Sequence, residues 1–327
     1  MRLRLASYNL ENLDDRAGAE PPLAARIAAL KPHFQRLAAD VICLQEVNSQ
    51  AAPGQPRNLH ALEQLLAATP YHDFHRAVTL NDAGTQVRDV QNLVVLSRFP
   101  VLAQRQVMHD LVPPPLYRPV TAVPAAAAAP APVRWDRPIL HLRLDIGRRR
   151  PLDLVNLHLR APLAAFIAGQ KAGAFAWNSV GGWAEGFFLA ALKRDGQALE
   201  TRLLLEQLFD ADPEAWIAVC GDFNADGRAT PLSLIRGDVE ATGNGALLGR
   251  SLVPLEVSVP AERRYTVRHF GDKLLLDHVM VSRQLLGFFR QAEIHNESLT
   301  DELLAFATGR RDPDSFHAPV VVEFDID

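Results

Sequence analysis

The chain has 327 residues, 48% of them hydrophobic and 22% charged. This composition supports a large packed core and excludes a chain disordered throughout. A net charge of −4 and a pI of about 6.3 speak against sequence-blind nucleic-acid binding over a broad basic surface, and leave room for a local basic strip.

The two cysteines, Cys43 and Cys220, both lie inside apolar runs. They read as reduced core residues. The N-terminal residues carry no apolar stretch of signal-peptide length. No segment approaches the roughly 20 apolar residues of a membrane span. The expected location is cytoplasmic, without stable membrane insertion.

In chain order, residues 3–8 alternate as a strand and lead into Asn9 and Glu11. From Leu23, apolar residues recur at Ile27, Leu30, Phe34 and Leu37, one face of a helix. Pro32 falls inside it and predicts a kink or break. Residues 41–44 form a continuous apolar strand ending at Gln45-Glu46, residues 58–67 a further helix, and residues 93–96 another strand. Residues 112–138, rich in Pro and Ala with the run 125–129, predict a surface loop with little fixed structure.

Residues 152–157 form a strand carrying Asn156 and ending at His158, with Arg160 just beyond. An aromatic-rich insertion follows at 161–194, holding Phe166, Phe175, Trp177, Trp183, Phe187 and Phe188 among glycines and alanines. It reads either as a lid or wall over a substrate, or as a packed satellite of the core or an oligomer contact. Residues 196–210 predict a helix. Residues 216–220 form a strand running into Gly221-Asp222 and Asn224. Residues 274–281 are apolar but interrupted by Asp277-His278. A last strand, 318–324, follows His317. Strands and helices mix without a βαβ rhythm, which favours a mixed, layered α/β fold over a parallel dinucleotide-binding sheet.

The polar residues fall at strand ends. A carboxylate buried beside an apolar strand is costly without a partner. Four strands ending in Asn9/Glu11, Glu46, Asn156/His158 and Asp222/Asn224 predict one shared site at a sheet edge, where carboxylates hold a hard divalent cation through oxygen. Each feature alone has a plainer reading: a turn or cap for Gly221-Asp222, a structural histidine for His158, a solvated loop charge for Arg160.

Seven strings together carry a family resemblance: SYNLENL at 7–13, LQEV at 44–47, LSRFP at 96–100, NLHL at 156–159, GDFN at 221–224, LDHV at 276–279 and SFHAP at 315–319. The chain resembles the endonuclease/exonuclease/phosphatase superfamily, with its deoxyribonuclease I-like fold, along essentially its whole length. The resemblance implies a single domain over residues 1–327. Its fold would be a four-layered α/β sandwich, two mixed, mostly antiparallel sheets packed face to face with helices outside. It implies a metal-dependent hydrolase of phosphate esters using Mg²⁺, with Mn²⁺ as the alternative ion, and a nucleic acid, small molecule or lipid as substrate. Glu46 resembles the principal metal ligand, supported by Asn9 and Glu11. Asp222 resembles the residue that orients the attacking water, and Asn224 the one that holds a phosphoryl oxygen. His317 and its partner Asp277 resemble the last active-site pair, and His158 the second histidine. Arg160 is a candidate phosphate contact. One departure stands out. The family string before the final Pro is usually Ser-Asp-His, and here it is Ser315-Phe316-His317; Asp312 and Asp314 are the nearest substitutes. The departure supports an alternative, a catalytically degenerate family member that binds a partner. Oligomeric state is not legible in the sequence.

Overall fold

A computed structural model describes residues 1–51, 54–125, 129–174, 176–309 and 312–326. Phe175 and the centre of the alanine run lie outside the described residues. The strands in chain order are β1 (Arg2–Leu13), β2 (Val41–Val47), β3 (His75–Val78), β4 (Asn92–Ser97), β5 (Val101–Val107), β6 (Leu116–Tyr117), β7 (Ala131–Pro132) and β8 (Ile139–Leu144). They continue with β9 (Leu152–His158), β10 (Trp216–Asp222), β11 (Leu252–Pro254), β12 (Val267–His269), β13 (Asp272–Leu274), β14 (Asp277–Ser282), β15 (Phe289–Ile294) and β16 (Val320–Asp325). The principal helices are α1 (Leu23–Leu37), α2 (His60–Leu66), α3 (Val180–Ala211) and α4 (Thr230–Arg236).

Two six-stranded sheets, in the orders β15-β16-β1-β2-β4-β3 and β11-β14-β10-β9-β8-β5, face each other. The β1–β2 and β9–β10 pairs are parallel and the other pairs in these sheets antiparallel. The apolar residues sort by strand alternation into three layers. Leu3, Leu5, Cys43, Leu154, Cys220 and Val279 belong to the layer between the sheets. Tyr8, Ile42 and Leu44 pack under α1 with Leu30 and Phe34, and Val155, Val219 and Met280 pack under α3 with Leu204 and Leu205. The result is the expected four-layered α/β sandwich. Both cysteines are free and buried. No described helix is long and apolar enough to cross a membrane.

Three local expectations change. Helix α1 runs through Pro32 without ending, because Pro32 and Ala28, four residues before it, are both exposed, so the carbonyl that loses its intrahelical bond faces water. Helix α3 starts sixteen residues earlier than its apolar stripe suggests, inside the 161–194 insertion, with Ser179 as its N-cap accepting from Gly182 N at 2.9 Å. Glycine 186 is needed in this first half. A Cβ there would sit 2.4 Å from the Ala165 carbonyl oxygen and 2.9 Å from the Trp177 ring, so only glycine lets the preceding loop lie on the helix. Asp277 opens β14 and does not interrupt a longer strand.

The Pro/Ala segment also has more fixed structure than its composition suggests. It pairs β6 with β7, and Tyr117 OH donates to Glu185 of α3 at 2.8 Å. Its last residues are buried, with Trp135 Nε1 donating to Glu200 at 2.7 Å.

Candidate active site

The inter-sheet layer turns polar at one end. Along the inward-facing positions, Leu5 gives way to Ser7 and Asn9, Cys43 to Gln45, Leu154 to Asn156 and His158, Cys220 to Asp222, and Val279 to Asp277. Each continues its strand's alternation, so the fold that buries the apolar residues aims the polar ones into the same interlayer space. Asn156 ties the sheets together just below the site. It accepts from Gln45 Nε2 at 2.8 Å and donates to the Leu44 and Val94 carbonyls at 3.1 and 3.2 Å.

Glu46 follows inward-facing Gln45 and would point outward by simple alternation. A register shift between Leu44 and Val47 and a φ of +58° at Glu46 turn it toward the site. Its Oε2 accepts from Asn12 N at 3.0 Å, in the stretch where Glu11 and Asn12 also have positive φ. Gly221 has a φ of +143°, and a Cβ there would lie 1.9 Å from the Leu157 carbonyl oxygen. Glycine in GDFN therefore lets β10 reach the site beside β9.

The structure brings Asn9, Glu46, His158, Asp222, Asn224, Asp277 and His317 together. Asn9 Nδ2 donates to Asp222 Oδ2 at 3.0 Å and to Glu46 Oε1 at 3.3 Å, while its Oδ1 accepts from Glu11 N at 2.8 Å. His158 Nε2 lies 3.4 Å from Asp222 Oδ2 and 3.7 Å from Glu46 Oε1. His317 Nε2 lies 3.9 Å from Asp222 Oδ2, and its Nδ1 meets Asp277 Oδ2 at 2.8 Å. Asn224 Nδ2 donates to the Leu159 carbonyl at 3.0 Å and to Asp222 Oδ2 at 3.2 Å. Both of its amide hydrogens are thus in use, so contact with a phosphoryl oxygen requires exchange of the longer bond.

Glu11 stands at the margin. Its Oε2 accepts from Phe316 N at 2.8 Å, placing a carboxylate beside the residue that departs from the family string. Asp314 is not a substitute. It turns to the outer helix layer and meets His33 Nε2 at 2.7 Å. Arg160 is paired with Asp136 at 3.1 Å, and Asp136 also holds Lys193 at 2.6 Å.

The electrostatics are those of crowded carboxylates out of water. Burial pushes the Asp222 carboxyl up to about 7, with the Asp277 carboxylate adding to the rise. Burial likewise pushes Glu11 up to about 7. Burial works against the His317 cation, but Asp277 and Asp222 outweigh it and hold the ring's pKa at about 10. His158 goes the other way: burial first, and the Arg137 charge second, press it well below the ordinary histidine range.

The donor chemistry fits a divalent cation. Ligand atoms of Glu46, His158 and Asp222 all lie within 4.8 Å of one another, as do those of Asp222, Asp277 and His317. Asp277 Oδ1 is buried without a hydrogen-bond partner. Hard oxygen donors whose buried charge is under-compensated are what Mg²⁺ or Mn²⁺ binds.

Sequence reasoning missed Arg137. It is buried, and its Nη1 meets His158 Nδ1. It also missed Arg26, whose guanidinium donates to the carbonyls of Leu10, Glu11, Pro313 and Asp314. Arg26 thereby binds the end of β1 to the loop that carries His317. Its place amid the apolar stripe of α1 was the available signal.

Comparison with curated proteins gives no match. Among solved structures, a mannosyl-6-phosphatase from Bacteroides thetaiotaomicron superposes with a TM-score of 0.59 at 15% identity, covering 99% of this chain and 100% of that one. TDP2 from Caenorhabditis elegans, in truncated form, gives 0.58 at 13% identity over 99% and 98%. D. rerio TDP2 complexed with a single-strand DNA product gives 0.55 at 14% identity over 99% of each chain. These likenesses establish a shared fold. The model of the Endonuclease/Exonuclease/phosphatase family matches residues 6–298, a span that takes in every strand end of the site except the loop bearing His317. The chain belongs to that family.

Proposed function

We propose that this protein hydrolyses phosphate esters with Mg²⁺, for which Mn²⁺ can substitute. The observation that carries the reading is the bridge by Asn9 between Glu46 and Asp222, with His158 and His317 on either side of Asp222 Oδ2. Glu46 is the principal ligand, with Asn9 and Glu11 supporting the ion and its waters. A divalent cation held by these residues would supply charge neutralisation at the phosphoryl group. Asp222 orients the attacking water and accepts its proton. His317, protonated and oriented by Asp277, donates to a phosphoryl oxygen or to the leaving group. Asn224, on exchange of its bond to Asp222, and Arg160, on release from Asp136, would complete the set of phosphate donors.

The surroundings favour a small or single-stranded substrate. A cavity of about 390 Å³ beside the site is lined by Glu11, Asp14, Glu20 and Asp312, against Arg16 and Arg26, and Arg26 is spent on carbonyls. A duplex polyanion would meet a wall of its own sign. Of the solved structures that share this fold, one is a mannosyl-6-phosphatase and another, D. rerio TDP2, is complexed with a single-strand DNA product. The degenerate-binder reading has Phe316 in its favour, since Asp314 does not replace the missing carboxylate.

The test is hydrolysis of a chromogenic phosphodiester and phosphomonoester, with Mg²⁺ and with EDTA. A panel of plasmid DNA, single-stranded DNA, RNA, inositol phosphates, sugar phosphates and sphingomyelin follows. Turnover that EDTA abolishes supports the proposal. Absence of turnover on every substrate with Mg²⁺ and Mn²⁺ leaves the binding protein.

A further inference from the structure

Arg137 closes the Pro/Ala segment and is only 5% exposed. Its backbone is held from α3, where Gln197 Nε2 donates to its carbonyl at 2.9 Å. Strand β8 begins two residues later, and its Leu140 pairs with Asn156 of β9. Continuing that antiparallel ladder by two residues sets Pro138 opposite His158. The guanidinium therefore arrives at the His158 ring, and Nη1 meets Nδ1.

That contact has one chemical reading. A guanidinium offers only N–H donors and keeps its proton. His158 Nδ1 must then be the acceptor, a ring nitrogen without hydrogen. An imidazolium, with hydrogen on both nitrogens, cannot make the contact. The neutral ring carries its hydrogen at Nε2, the nitrogen 3.4 Å from Asp222 Oδ2 and 3.7 Å from Glu46 Oε1. A nitrogen that bears hydrogen in the ring plane has no lone pair for a cation. The ligand atoms of Glu46, His158 and Asp222 are close enough for a three-ligand centre, but this tautomer withdraws the histidine from it.

We infer that Arg137 is a positioning residue that locks His158 as the Nε2–H tautomer, so that His158 serves as a neutral hydrogen-bond donor to the reacting phosphate and not as a metal ligand. The identity of the acceptor rests on the phosphoesterase reading; the tautomer and its exclusion from the metal do not.

The experiment is a long-range ¹H–¹⁵N correlation spectrum of the full chain labelled at histidine, recorded without metal and with saturating Mg²⁺. The His158 signals are assigned by their loss in His158→Gln. The expected result is a hydrogen on Nε2 and a bare Nδ1 in both conditions. Arg137→Met should give a mixture of tautomers or the Nδ1–H form, and Arg137→Lys, which restores a cationic donor, should return toward the wild-type pattern. In turnover, Arg137→Met should lower kcat about 10- to 100-fold with KM little changed, and Arg137→Lys should recover part of the loss. A wild-type spectrum with hydrogen on Nδ1, or loss of the Nε2 hydrogen when Mg²⁺ is added, overturns the inference. The wild-type spectra need no variant, so a failure of Arg137→Met to fold leaves the test standing. They need no turnover either, so an inactive protein with Nε2–H at His158 would count against the proposed function while sustaining the lock.

Discussion

Asp277 Oδ2 holds His317 Nδ1 at 2.8 Å, and the other ring nitrogen then faces Asp222 Oδ2 at 3.9 Å. The first contact orients the ring, and under the proposed function the second nitrogen serves the phosphoryl group. His317→Ala should lower kcat by about two to four orders of magnitude. Asp277→Asn should lower it less, because the ring remains. The double variant should lose little beyond His317→Ala, since Asp277 acts through His317. Steady-state kinetics of the four proteins decide it, and fully multiplicative losses would separate the two residues.

Stability of the metal-free protein should fall with pH and be restored by Mg²⁺. Asp222 and Glu11 are raised to about 7 from ordinary values of 3.8 and 4.5. The folded state thus holds protons that the unfolded state has released, and stability falls as pH rises toward 7. His317 is raised to about 10 from 6.5. Its contribution is full below 6.5 and is lost as pH rises through 10. A cation competes with these protons, so the gain in Tm on adding Mg²⁺ should be larger near pH 8 than near pH 5.5. Differential scanning fluorimetry with and without EDTA checks the sign.

Glu46→Gln should remove most of that Mg²⁺-dependent gain together with most of the activity, while the metal-free Tm stays near wild type. The amide keeps the shape of the side chain and the contact with Asn12 N, but loses the charge that attracts a hard cation. Unchanged metal titration in this variant would take Glu46 out of the site.

Arg26→Ala should destabilise the protein by about 3 kcal/mol in urea titration, the scale for removing a buried charged donor from its partners. Activity should fall as well, since Arg26 joins the Glu11 carbonyl to the loop before His317. Loss of stability with full kcat would show that the loop holds its position unaided.

Gly186→Ala and Trp183→Ala should part company. The first forces a Cβ against the Ala165 carbonyl and the Trp177 ring and should cost about 1–3 kcal/mol. Trp183 is 44% exposed and stacks only on Phe187 among the described rings. Its loss should shift stability by less than about 0.5 kcal/mol and show instead in KM or substrate preference. A sharp fall in Tm with kinetics intact would make the aromatic segment a packing element.

Most of the residues that converge at the candidate site could be located from the sequence because they sit at the ends of strands that announce themselves by apolar runs. Asn9, His158, Asp222 and His317 could be named from the strings that hold them. What could not be read depends on register and torsion. Arg137 reaches His158 through the pairing of β8 with β9, and β8 was not recognised as a strand beside the Pro/Ala run. The direction of Glu46 comes from a positive φ that alternation does not foresee. The first half of α3 was hidden by glycines, which lower helix propensity, although Ser179 marked its start. The edge strands β5 and β15 escaped because each has polar residues in its middle and buries only its last residue.

The bridge from Asn156 to Gln45, Leu44 and Val94 lies beneath the candidate site and joins the sheets through wholly buried amides. Opening the site from below would have to break those bonds and part the two sheets. The rim is different: residues 14–21, several of which line the cavity beside the site, are mostly exposed and can open at far smaller free energy. Hydrogen exchange should accordingly be slow at the buried Asn9, Asn156 and Asp222 and fast along the rim. Selection could rewrite the rim for a new leaving group while the chemistry underneath stayed rigid.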